Sequence, residues 1–195
     1  MKKVLLGVAA FALISLPVLA ALSVGDMAPD FAAHGSLAGK EFDFSLSKAL
    51  AKGPVVVYFF PSAYTKGCDL EAHTFSMEKD KFDAAGASII GVSADSIARL
   101  NRFSADPDYC AGKFPVASDG DKKIAASYGL ASATPKSGML DVQGNAVDHD
   151  LIERVTFVIG KDHKLVARFS SKDDGLSPDQ HVEKSLEIVQ KLTGK

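Results

Sequence analysis

The stretch "GPVVVYFFPSAYTKGCDLEAHTF", residues 53–75, decides the fold. From Val55 to Phe60 no polar side chain interrupts a β-branched and aromatic run. Such a run reads as a strand buried on both faces, hence central in a sheet. Pro61 ends it, and a turn over 61–67 leads into a charged run with helical spacing. That spacing predicts a buried stripe of Leu70, Phe75, Met77 and Phe82, with Gly86 closing the helix. A strand, a tight turn and a helix place the first helical residues at the carboxyl edge of the sheet, where open α/β sheets build their sites.

The rest of the chain repeats this alternation. Residues 24–50 read as an extended leading segment with hairpin-like alternation around Phe42 and Phe44. "ASIIGVSAD" (87–95) is a second buried strand, followed by a helix over about 96–103. "FPVASDGDKKIAASYGL" (114–130) predicts a short strand, a turn and a helix ending at Gly129, and 131–150 reads as a long loop. "RVTFVIGKDHKLVARFS" (154–170) is a hairpin, and 177–192 is an amphipathic helix with Ser177 as N-cap and Pro178 at its first position. This order argues for one α/β domain, a central mixed sheet with helices on both faces.

A chain of 195 residues, 47% hydrophobic and 24% charged, suits one soluble domain with a substantial core. A formal net charge of −2 with no basic arm argues against a nucleic-acid partner. The opening "MKKVLLGVAAFALISLPVLAALS" has two lysines, an apolar run from Val4 to Ala21 and small residues at Val18 and Ala20. It reads as a signal peptide over 1–20, with the domain over 21–195 and no stable membrane association after cleavage. An uncleaved anchor is the competing reading, because the apolar run approaches spanning length. Either way the domain is expected outside the cytosol, in a bacterial periplasm, where disulfides persist.

Cys68 is expected in the first turn of the helix. Unpaired backbone N–H groups and the positive end of the helix dipole favour an anion there. A helix N-terminus or a nearby cation lowers a thiol's pKa, and the thiolate is the nucleophile. The structural alternative is a disulfide to Cys110, the one other cysteine, 42 residues on (110 − 68). Closing that loop stabilises a fold by roughly 4 kcal/mol in the chain-entropy picture. Dithiol exchange would need Cys-x-x-Cys, but position 65 is Thr and position 71 is Glu.

"PSAYTKGC" (61–68) matches the Pro-x-x-x-Thr-x-x-Cys motif of the peroxiredoxins, and the resemblance to that family spans nearly all of the mature chain. "TKGCDLEAHTF" is most similar to the bacterioferritin-comigratory-protein (PrxQ-like) branch of the AhpC/TSA superfamily. The resemblance implies a thioredoxin-like, three-layer fold and a cofactor-free peroxidase. Cys68 would be the peroxidatic nucleophile, Thr65 would bond the thiolate and the peroxide, and Pro61 would screen the pocket from water. Arg154 would supply a permanent cation, while the N–H groups of Gly67 and Cys68 would hold peroxide oxygens. Glu71 is expected either to pair with Arg154 or to support the helix start as a first-turn acid.

Some members carry a resolving cysteine five residues after the peroxidatic one, but that position is His73. Cys110 is then the remaining candidate, in an element not obviously adjacent to Cys68. An intermolecular bridge or a one-cysteine cycle are the alternatives. The interval 132–152 also departs from the family's shorter connection before the arginine strand. His73, His149 and His163 are scattered, so no metal site is expected. The partners implied are a hydroperoxide and a thioredoxin-like dithiol protein acting on a monomer or dimer. The competing functions are a thiol–disulfide oxidoreductase or a redox-dependent holdase on the same fold.

Overall fold

The computed structural model describes residues 22–195. The expected signal segment therefore lies outside the described residues. A hairpin of β1 (Ala32–Leu37) and β2 (Lys40–Ser45) leads into the short helix α1 (Leu46–Leu50). Then follow β3 (Val55–Phe59), α2 (Lys66–Ala84), β4 (Ser88–Ser93) and α3 (Ile97–Ala105). β5 (Val116–Ser118), α4 (Lys123–Ser127) and the two-residue strands β6 (Ser132–Ala133) and β7 (Leu151–Ile152) come next. The chain closes with β8 (Val155–Ile159), β9 (Leu165–Ser170), α5 (Ser171–Asp174) and α6 (Pro178–Thr193).

Seven strands form one sheet in the order β2-β1-β5-β4-β3-β8-β9, with β6 and β7 paired separately. β3 pairs parallel with β4 and antiparallel with β8, so the sheet is mixed and β3 has hydrogen-bonded neighbours on both sides. All five β3 residues are buried, which explains the unbroken apolar run. Val56, Tyr58 and Phe60 face a core shared with α2, α3 and α6, whereas Val55, Val57 and Phe59 face a second core with α1 and α4. Gly91 is required at the β4 position opposite Tyr58, because a Cβ there would lie 2.6 Å from the phenol oxygen.

The expected stripe of α2 needs correction. Phe75 and Phe82 are buried with Cys68 and Ala72, but Leu70 and Met77 are exposed by 45% and 65%. At about 100° per residue, Leu70 and Phe75 stand about 140° apart round the helix, so the four side chains cannot share one face. β4, α3, β5, α4, β8, β9 and α6 follow the sequence reading, whereas α1, α5 and the β6–β7 pair add to it. Ser177 begins α6 with a capping box to Gln180 and Pro178 at the helix start.

Candidate active site

β3 delivers the chain to its carboxyl edge, and Phe60 N still bonds Val92 O before Pro61 turns away. Ser62, Ala63 and Tyr64 are buried, and Tyr64 has a left-handed backbone with φ of 57°. That conformation is uncommon for a bulky residue and costs on the order of 1–3 kcal/mol, so surrounding contacts must hold it. Thr65 is the N-cap of α2, which makes Cys68 the third helical residue. The first intrahelical bond here runs from Asp69 N to Thr65 O, so the amides of Lys66, Gly67 and Cys68 precede the ladder.

Arg154 arrives from the residue before β8 and points its guanidinium at the helix start. Its Nη2 stands 3.1 Å from Cys68 Sγ. Its Nη1 binds the buried carboxylate of Glu71, so the pairing alternative for Glu71 holds rather than the first-turn-acid one. Gly67 makes this approach possible, since a Cβ there would lie 3.2 Å from Arg154 Nη2 and 3.5 Å from Pro178 Cγ. Cys68 itself is 1% exposed.

Burial pushes the Cys68 thiol up. The Arg154 cation opposes this most strongly, with smaller contributions from the nearby Thr65 side chain and Ser62 backbone. The expected lowering of the thiol pKa is thus overridden in this closed pocket, because dehydration of the sulfur outweighs the charges beside it. Burial likewise raises Glu71 to about 7 against the pull of Arg154. Thr65 Oγ1 donates its one proton to Ser62 O at 2.8 Å. To donate to an incoming oxygen the hydroxyl must rotate away from Ser62 O. Pro61 is half-buried at the mouth of the turn.

Cys110 lies in the loop after α3, fully buried and unbridged, as Cys68 is. The two elements are adjacent, contrary to the sequence reading. His73 Nδ1 lies 3.0 Å from Asp108 O, Lys113 Nζ donates to Ser76 O at 2.9 Å, and the Tyr64 and Tyr109 rings meet edge-on at 5.5 Å. Both cysteines belong to one apolar cluster with Tyr58, Phe75 and Phe103. Burial drives the Cys110 thiol well above its usual value. His73, His149 and His163 sit on separate elements, and among the described residues no group of three potential ligands is placed to hold a metal ion.

The AhpC/TSA family model matches residues 24–168. The chain belongs to this family, the peroxiredoxins. A Mycobacterium tuberculosis protein named as a peroxiredoxin is 32% identical over 147 residues, covering 75% of this chain and 84% of that one. Chloroplastic peroxiredoxin Q of Sedum lineare is 30% identical over 148 residues, 76% and 69% of the two chains. The crystal structure of peroxidoxin BcpB from M. tuberculosis superposes with a TM-score of 0.70 at 28% identity, over 87% of this chain and 97% of that one. Bacterioferritin comigratory protein of Xanthomonas campestris gives 0.63 at 27% identity, over 82% and 91%. Peroxiredoxins are thiol peroxidases, so the chain is an oxidoreductase on a thioredoxin-like fold.

Four residues that no motif singled out stand behind the peroxiredoxin loop. Asp95, Arg99, Asp141 and His149 form a charged group around Ser62 and Ala63. Only the spacing of Asp95 and Arg99, four residues apart across a helix start, was visible in sequence. Two further buried groups escaped notice. Tyr58 Oη has no hydrogen-bond partner. His181 is fully buried between the Thr156 and Ser171 hydroxyls at 2.9 and 3.0 Å.

Proposed function

We propose that the protein reduces hydrogen peroxide and organic hydroperoxides by a cycle on Cys68, Cys110 and an external dithiol. The observation that carries this reading is the 3.1 Å approach of Arg154 Nη2 to Cys68 Sγ at a helix start with unpaired amides. A hydroperoxide entering beside Thr65 brings polar atoms to a dehydrated sulfur and offsets part of the cost of forming the thiolate. The thiolate attacks the terminal peroxide oxygen, the O–O bond breaks, and the released alkoxide or hydroxide takes up the proton lost by the thiol. Arg154 and the amides of Gly67 and Cys68 stabilise the charge that develops on the oxygens. The Xanthomonas relative has alkyl peroxide reduction activity, which favours organic hydroperoxides among the substrates here.

The Cys110 thiol then attacks the sulfenic acid, forming a disulfide and releasing water. Its loop already packs on α2, and the bridge requires the start of α2 to unwind so that the sulfurs can meet. A thioredoxin-like dithiol protein returns both thiols by exchange. A periplasmic cycle on a monomer or dimer is the reading that the signal-like residues 1–20 support. Stopped-flow peroxide consumption tests the reading. Wild type is expected to consume peroxide with a dithiol reductant and Cys68→Ser to be inactive; equal rates would reject it.

A further inference from the structure

We propose that Asp141 and His149, both on the segment between β6 and β7, are positioning residues for Cys68. With Asp95 and Arg99 they clamp the loop that feeds the peroxidatic helix. The inference rests on the peroxidase reading above and adds to it a set of residues acting through the backbone.

Asp95 is fully buried, and its Oδ1 lies 2.9 Å from Arg99 Nε and 2.8 Å from His149 Nε2. Arg99 Nη2 reaches Asp141 Oδ2 at 2.8 Å, and that carboxylate also accepts the amides of Gln143 and Asn145. Two cations and two anions thus share one dehydrated volume, where removing any one leaves a partner uncompensated. The protonation of His149 follows from geometry. Its Nδ1 lies 2.9 Å from Asp150 O and its Nε2 faces the Asp95 carboxylate. Both are acceptors, so only the doubly protonated ring satisfies both contacts.

The cluster ends on the active-site turn. Asp95 Oδ2 accepts Ala63 N at 2.9 Å, and Arg99 Nη2 donates to Ala63 O at 2.8 Å. The same segment donates Val142 N to Tyr64 O at 2.8 Å, and Arg99 lies 5.4 Å from the Tyr64 ring centroid. Both backbone polar groups of Ala63 and the carbonyl of left-handed Tyr64 are therefore held, and the next residue is the N-cap of α2. A misplacement of about 1 Å at such a site costs on the order of 10²-fold in rate. The groups facing the His149 ring are Asp95 and Arg99, the Ser62 hydroxyl at 3.2 Å, and Asp150 of its own segment. Burial works against a charge on His149, but Asp95 outweighs it and holds the ring's pKa above the usual value.

The test measures two phases after mixing reduced full-length protein with hydrogen peroxide: oxidation of Cys68, then disulfide closure. Asp141→Asn and His149→Gln are compared with wild type from about pH 5 to about pH 9, the range over which an imidazole titrates. The first phase is expected to slow about tenfold or more in both variants while the second does not slow, because a loosened loop eases unwinding. The wild-type first phase is expected to carry an ionisation that is absent from His149→Gln and retained in Asp141→Asn. Should either variant melt below assay temperature, Asp141→Glu, which keeps the charge but shifts the carboxylate, is read in its place for the same split. Folded variants with a wild-type first phase and pH profile would overturn the inference. Cys68→Ser run alongside separates the two levels: if it still shows the first phase, the peroxidase reading itself fails.

Discussion

Arg154 bridges Cys68 and Glu71, with one terminal nitrogen 3.1 Å from the sulfur and the other on the buried carboxylate. Removing the cation alone would leave Glu71 buried and uncompensated, a loss of about 3–5 kcal/mol. The informative variant is therefore Arg154→Met combined with Glu71→Gln. Peroxide reduction is expected to fall by about 10²–10³-fold in protein that remains folded. The pH profile of Cys68 alkylation should also move to higher pH, since the largest force opposing burial is gone. A double variant with unshifted alkylation would show that Arg154 does not act on the sulfur.

Cys110 should capture the oxidised Cys68 within one chain. Non-reducing electrophoresis after one equivalent of peroxide is expected to show a monomer with altered mobility and no free thiol. A linked dimer would assign the bridge to two chains.

Tyr58 presents a different balance. Its hydroxyl is buried without a partner, and its phenol is driven well above the usual range first by burial and then by the nearby Cys110. An unsatisfied buried hydroxyl costs about 1–3 kcal/mol, so Tyr58→Phe should leave stability unchanged or raise it. Denaturant unfolding checks this, and a loss above about 1 kcal/mol would reveal a hydrogen bond made by the hydroxyl.

His181 makes stability depend on pH. Burial, aided by Arg154, lowers its pKa to about 4. The unfolded ring titrates near 6.5, so between these values the unfolded chain binds more protons and stability falls as pH falls. The difference between these values amounts to on the order of 3 kcal/mol, present above about pH 6.5 and lost by about pH 4. Urea midpoints across that range should show the slope, and His181→Asn should flatten it. An equal slope in the variant would assign it to other groups.

Much of this was legible in residues 53–75, because the turn, the N-cap and the nucleophile are contiguous and each leaves a residue-type signature. Arg154 was readable too, but only through the resemblance of its hairpin to the one that carries the family's arginine. The fault in the α2 stripe came from counting apolar residues without their angular positions. The clamp could not be read: Asp95 and Asp141 look like loop acids and His149 like a solvated histidine until the 131–150 segment is seen folded onto Ala63. The adjacency of Cys110 and α2 depends on loop packing, which carries no periodic signal.

The capture of a peroxide oxygen by Cys68 is tested most directly in Cys110→Ala, where no second thiol can consume the product. After one equivalent of hydrogen peroxide, intact mass with peptide mapping is expected to show one added oxygen, located on Cys68. Unreacted peroxide beside an unmodified Cys68 in folded protein would contradict the account.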